Sequence, residues 1–378
     1  MSGSEKEMRR WKILIVLFIL SLFLSSTIQV HAEERLEYKT EAEENTITDD
    51  THIYEKITVD KNDKAAYNSI QNAINDAQSG STIYVKKGVY SEIITINKKI
   101  NLIGENKDTT LINPTSKKNS YAIRVRTSGV KISGFCIQNK GEGLYATGIK
   151  ISVPQATIEN CDIFDTPVGI AIWSSDNTIM NCRFWGCEDE GIAFLGSSTI
   201  KCNNNLIENC EFYNNCDGIE LQYSSNNRIS NCEFYDNTHA GIDAIGSSNN
   251  NNEIINCKIN NNNVFGIYLS RSSGNQITKC SLSKNKIMTT SSTDNTITDC
   301  TLDTIYLIDE STISIKDCAD FDETKIKSIN SEYEINNKES KKPVKTESTT
   351  VGFRSLFINK IYSLLPPIIA ARLQMRNQ

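Results

Sequence analysis

The sequence predicts an all-β chain folded as a single-stranded right-handed parallel β-helix with a short N-terminal capping helix. Three observations predict it. A repeat recurs at steps of 18 to 28 residues, each repeat holds short apolar runs of period two, and no repeat carries the i, i+3, i+4 spacing of a helix over ten residues. A single repeat cannot bury its own apolar face, so the repeats must stack, giving about ten coils.

The repeat is anchored by Asn-Cys pairs at Asn160-Cys161, Asn181-Cys182, Asn209-Cys210, Asn231-Cys232 and Asn256-Cys257. Lys279-Cys280, Asp299-Cys300 and Asp317-Cys318 continue the series, and Gly134-Phe135 opens it. An isoleucine stands two residues before every pair, from Ile132 and Ile158 through Ile297 and Ile315. A large apolar residue follows two positions after, among them Ile163, Phe184, Phe212 and Phe234. Asp320 breaks that rule and marks the expected end of the core. In Ile-x-Asn-Cys the isoleucine and cysteine are three apart, yet both should face inward. Strict alternation forbids this, so the chain must bend at Asn, a residue that tolerates left-handed backbone. Gly134 in the first slot fits the same demand. Stacked corner amides can hydrogen-bond up the column.

A second anchor is a Gly-Ile pair at Gly148, Gly169, Gly191, Gly218, Gly241 and Gly266. The eight repeat cysteines then form an inward column of small apolar residues, reduced because in-register positions are spaced poorly for disulfides. Cys187 and Cys216 fall in equivalent turns of neighbouring coils and could bridge. Cys136 and Cys202 read as peripheral.

The N-terminus carries Lys6, Arg9, Arg10 and Lys12, an apolar run from Trp11 to about Leu24, and Val30-His31-Ala32 as a cleavage site. This reads as a signal peptide over 1–32, or as an uncleaved membrane anchor, and places the chain at the cell surface or outside the cell. An irregular acidic lead-in spans 33–64. The β-helix follows over 65–322, with a short helix within 65–78 that puts Ile70 and Ile74 on one face. A flexible polar linker covers 323–350. The tail 351–378 is apolar or amphipathic, suited to docking on the solenoid end, a membrane surface or a partner. A net charge of −6 argues against nucleic acid as a partner.

Outward positions of the Gly-Ile strands are the place for chemistry. Lys150, Glu220, Asp243 and Tyr268 occupy one outward row, and Trp173 and Gln222 the next. His239 lies in the adjacent turn. Glu220 and Asp243 are expected as direct neighbours on successive coils. Two carboxylates so close raise one another's proton affinity, which suits an acid/base pair in glycoside cleavage or a weak Ca²⁺ site. Trp173 and Tyr268 could stack on sugar faces. Beyond that Ca²⁺ possibility no metal and no cofactor is expected.

The segments Ser69-Ile70-Gln71-Asn72-Ala73-Ile74, Gly80-Ser81-Thr82-Ile83-Tyr84-Val85, Gly88-Val89-Tyr90 and Leu102-Ile103-Gly104-Glu105 resemble the opening of pectin-lyase-like β-helix proteins. The later coils resemble the right-handed β-helix repeats of NosD-like and surface proteins. The resemblance covers residues 66–320 and implies the fold. Its superfamily contains polysaccharide lyases, glycoside hydrolases and epimerases, as well as members without known activity. Three functions therefore compete. The first is a non-catalytic exported module binding glycans or protein partners. The second is a polysaccharide-active enzyme using Glu220 and Asp243. The third, implied by the NosD-like resemblance alone, is a metal-handling accessory protein.

Overall fold

The computed structural model describes residues 56–63, 66–114, 120–141, 143, 146–321, 323–337 and 340–345, all within one compact unit. The expected N-terminal signal or anchor segment and the expected C-terminal tail lie outside the described residues. So does most of the acidic lead-in. Among the described residues no helix is long and apolar enough to cross a membrane.

The repeats stack as about 12 coils, against the ten expected. They build three sheets of 14, 11 and 8 strands. Strands of successive coils pair parallel and in register, and one antiparallel pair, Glu332–Asn337 with Ser340–Lys345, closes the 14-stranded sheet. The solenoid thus runs past both boundaries read from the sequence. Lys56–Val59 pairs with Thr82–Val85 inside the expected lead-in, and Ile326–Ile329 with the closing pair forms strands inside the expected linker. Ile335 still projects into the core there, so the alternation outlasts the Asn-Cys repeat.

The repeat isoleucines stand directly over one another, Ile158 over Ile132, then Ile179, Ile207 and Ile229. All are fully buried. Phe184, Phe212 and Phe234 form a second column, their rings stacked 4.8 Å apart. Each such side chain contributes about 1.5–3 kcal/mol of burial. The N-terminal helix spans Ile70–Asp76 and buries Ile70, Ala73 and Ile74. Ser69 caps it, and the Glu92 carboxylate accepts from the backbone N–H groups of Ile70 at 2.8 Å and Gln71 at 3.0 Å. A carboxylate there satisfies donors that a first helical turn leaves open.

The corner reading holds. Asn160, Asn181, Asn209, Asn231 and Asn256 all have φ between 48° and 55°, and Lys279, Asp299 and Asp317 take the same conformation. Behind them the cysteines of the column are buried free thiols, each with its Sγ against a backbone carbonyl such as that of Glu159 for Cys161 or Met180 for Cys182. Cys187 and Cys216 are also free and buried. Cys202 is not peripheral. It is fully buried and joins the core because the long turn before it folds inward, with Sγ donating to the Ile172 carbonyl at 3.3 Å.

The expected asparagine ladder stands elsewhere. At the corners one amide pair joins, Asn256 donating to Asn231. Continuous ladders occupy the buried turns instead. One runs Asn177, Asn205, Asn227, Asn252, Asn275, Asn295, each Nδ2 donating to the next Oδ1 at 3.0–3.1 Å. The other runs Asn215, Asn237, Asn262, Asn285 at 2.8–3.1 Å. Corner asparagines are turned toward solvent, whereas these turn residues would otherwise leave buried backbone donors unpaired.

The Gly-Ile glycines are required by space. A Cβ on Gly218 would lie 2.5 Å from the Gly241 carbonyl oxygen and 2.6 Å from Phe234, because the next coil passes directly over it.

Candidate functional site

The 11-stranded sheet presents its outer face at the residues that follow each Gly-Ile pair. The isoleucine points inward, so the next residue points out. Asp217–Gln222 pairs with Ala240–Ala244, and Glu220 stands directly opposite Asp243 as the spacing predicts. The two carboxyl groups are nevertheless buried, with 4% and 3% exposure. An outward row on a solenoid would ordinarily be wet.

Two residues complete the cluster. The turn after the 8-stranded sheet delivers Asp217 on one coil and His239 on the next, 3% and 2% exposed. The second asparagine ladder fixes both turns, because Asn215 and Asn237 each precede them by two residues. His239 Nδ1 lies 2.8 Å from Asp217 Oδ1 and 3.7 Å from Asp243 Oδ2. The Ala240 backbone N–H donates to the same Asp217 oxygen at 2.8 Å. Gln222 Nε2 donates to Glu220 Oε1. Glu190 pairs in register with Asp217 one coil earlier and is buried, as is its neighbour Asp189.

Burial alone would push the His239 imidazole down. The charge and hydrogen bond of Asp217 oppose this, followed by the charges of Asp243 and Glu220, and the net effect raises it to about 9. Among the described residues the site therefore gathers one imidazole, protonated at neutral pH, and five buried carboxyl groups on three successive coils. Buried ionisable groups gathered this densely are costly to the fold, which makes them candidates for function.

Apolar surfaces flank the cluster on the same outer face. Phe265 sets its ring edge-on to His239, 5.8 Å between centroids, and packs against Tyr268. With Ala240, Val264, Met288 and Ile308 they form a cluster separate from the main core. Toward the N-terminus Val168, Ala171 and Ala193 pack with Trp173 and Leu195. Lys150 places its ammonium 4.4 Å from the Trp173 ring, and burial followed by the charge of Arg124 lowers its proton affinity.

The structure thus brings Glu220, Gln222, His239 and Asp243 together. Lys150 and Trp173 sit on earlier coils beside each other, and Tyr268 belongs to the apolar flank rather than to an open sugar platform. Asp217 escaped the sequence reading, as did Asp189 and Glu190. Asp217 and Glu190 stand immediately before Gly218 and Gly191, and that shared slot was the available signal. As potential metal ligands, Asp217, His239 and Asp243 offer atoms all within 4.8 Å of one another, a set that replaces the expected Glu220–Asp243 pair by including Asp217. A cation there would have to displace the imidazolium proton.

Two family models match. Residues 130–312 match the periplasmic copper-binding protein (NosD) family, and residues 56–189 match the pectinesterase family. A putative pectinesterase/pectinesterase inhibitor of Arabidopsis thaliana is 35% identical over 195 residues. That match covers 47% of this chain and 34% of the relative, so the chain spans about a third of the relative's length. Among solved structures, the A-module of the Azotobacter vinelandii mannuronan C-5 epimerase AlgE4 aligns with TM-score 0.51 and 14% identity, covering 75% of this chain and 94% of the module. The catalytic domain of a GH87 α-1,3-glucanase aligns with TM-score 0.52 and 13% identity, covering 80% and 69%. The chain thus has the parallel β-helix fold, and parts of it are similar to the NosD and pectinesterase families.

Proposed function

We propose that the protein is an exported enzyme that cleaves an uncharged polysaccharide at the outer face of the 11-stranded sheet. The observation that carries this reading is the pairing of Glu220 with Asp243 beside the His239–Asp217 ion pair. Glycoside cleavage passes through an oxocarbenium-like transition state, and a site with more carboxylates than cations stabilises positive charge developing at the anomeric carbon. Glu220 would protonate the glycosidic oxygen. Asp243 would stabilise the sugar cation, either by attacking it or by taking a proton from water. Asp217 and His239 would hold Asp243 in place. The same excess of negative charge repels free uronates, so esterified or neutral glycans are the favoured class. The pectinesterase matches support a polysaccharide substrate, and the N-terminal sequence supports export.

The test is release of reducing ends from neutral, esterified and free uronic-acid polysaccharides by the full-length protein. Cleavage of uncharged substrates is expected, with Glu220→Gln and Asp243→Asn each reducing it by about 100-fold or more at unchanged far-UV circular dichroism. Binding without cleavage, unaffected by either substitution, would instead support a non-catalytic glycan-binding module.

A second reading rests on the proximity of Asp217, His239 and Asp243. The NosD family match supports metal handling, and two carboxylates with one imidazole suit a divalent cation better than copper(I), which favours thiolates and thioethers. Calorimetric titration with Ca²⁺ and Cu²⁺, repeated on His239→Gln, checks it.

A further inference from the structure

The two ends of the solenoid carry opposite charge. Residues 56–131 hold 13 Lys and Arg against 6 Asp and Glu, whereas residues 132–345 hold 17 against 28. The coils stack in chain order, so this division runs along the axis. It becomes local on the outer face of the 11-stranded sheet. Arg124 and Lys150 stand opposite one another on neighbouring strands there, both half-buried. Like charges so placed repel. Among the described residues neither forms an ion pair with a carboxylate. Arg124 Nε is buried and has no hydrogen-bond partner among the described residues. A buried cationic donor left open is costly unless an acceptor fills it.

We propose that Arg124 and Lys150 form a subsite for the carboxylate of an acidic sugar. A guanidinium presents paired N–H donors that match the two oxygens of a carboxylate, and the ammonium beside it supplies a second cation. Aromatic rings hold both in place. The Arg124 guanidinium lies 5.7 Å from the Tyr121 ring, and the Lys150 ammonium 4.4 Å from that of Trp173. The local field is positive. Burial, then the charge of Arg124, lowers the proton affinity of Lys150. Burial raises that of the Tyr121 phenol, yet its hydrogen bonds with Thr95 and Arg124 and the charges of Arg124 and Lys150 lower it on balance. Arg126, exposed two residues after Arg124, adds a third cation at the rim.

The subsite lies apart from the acidic cluster on the same face. Three strand steps, Lys150 to Ala171 to Ala193 to Glu220, separate them, about 14 Å at 4.8 Å per step. The two places therefore select opposite features of one polymer, an ionised sugar at Arg124 and Lys150 and an uncharged one at Glu220 and Asp243. This consequence rests on the cleavage reading above, and it narrows the substrate class to a polymer carrying free carboxylates on only part of its sugars. Carboxylate binding at Arg124 and Lys150 does not rest on that reading.

The test titrates the full-length protein calorimetrically with a galacturonic-acid trimer, its fully methyl-esterified counterpart and a sulfated neutral trimer. The free acid should bind about tenfold more tightly than the other two, and Arg124→Gln and Lys150→Met should each weaken it by about tenfold at unchanged far-UV circular dichroism. No binding of the free acid, equal binding of acid and ester, or an affinity indifferent to both substitutions would overturn the subsite. A sulfated trimer bound as tightly as the acid would overturn the carboxylate assignment. Cleavage assays separate the two readings. A preference for partly over fully esterified polymer, removed by Arg124→Gln, is expected. Trimer binding without cleavage of any polymer would sink the enzymatic reading and leave the subsite standing.

Discussion

His239 Nδ1 and Asp217 Oδ1 lie 2.8 Å apart, both buried, on neighbouring coils whose sequence positions differ by 22 residues. Neither residue belongs to a recognisable local motif, and their meeting depends on the register of two stacked turns.

This pair gives stability a defined pH dependence. The folded imidazole sits at about 9 against an ordinary value of 6.5. Its contribution is fully present below pH 6.5 and is lost as pH rises through 9, on the order of 3 kcal/mol in total. Urea midpoints of the wild type should therefore fall between pH 6.5 and 9.5, and those of His239→Gln should lack that component. Parallel curves for the two proteins would show that the pair does not form.

The buried asparagine ladder should be costly to interrupt. Asn227 accepts from the Asn205 backbone N–H at 2.8 Å and from the Asn205 amide at 3.0 Å, and donates to Asn252. Asn227→Ala leaves these buried groups without partners and should destabilise by about 2–4 kcal/mol. Chemical denaturation measures it, and a shift below about 0.5 kcal/mol would mean that water or neighbours replace the amide.

Corner and anchor positions should respond oppositely to small changes. Asn231, at φ 55°, should accept glycine with little loss, whereas Asn231→Ala should cost about 1–2 kcal/mol for left-handed backbone. Gly218→Ala should cost more, about 3 kcal/mol, because its Cβ meets the next coil's backbone at 2.5 Å. Thermal denaturation of the three variants ranks them, and a ranking with Asn231→Gly worst would refute the account of the corner.

The thiols should be inert in the native state. Burial pushes Cys161, Cys182 and Cys187 upward, and holds Cys202 at about 12. Cys136 is the half-buried exception, raised to about 11. Alkylation at pH 8 followed by mass spectrometry should label Cys136 first, with the remaining thiols labelled after denaturation. Equal rates at Cys136 and Cys161 in the native protein would contradict a closed core.

How much of this was legible in the sequence differs between fold and site. The Ile-x-Asn-Cys-x-apolar unit specifies a bend and an inward face by local stereochemistry, so coil, corner and core column could be read residue by residue. Glu220 opposite Asp243 followed too, since counting from Gly218 and Gly241 fixes a register. The ends of the solenoid were harder to read, because Tyr333 and Ile335 keep the alternation after the Asn-Cys marker has gone. Asp217 and the inward turn of Cys202 were hidden for another reason. Their surroundings come from residues on other coils, and within the repeat only the slot before the Gly-Ile glycine marks Asp217. The ladder was misplaced on the same account, since corner and turn asparagines look alike until solvent exposure separates them.

The sequence by itself determined that this chain is a stacked β-helix, because periodicity and backbone preference act over a few residues. Only the tertiary structure decided that Asp217, His239, Glu220 and Asp243 form one buried cluster, because proximity across coils and exclusion of water are properties of the stack.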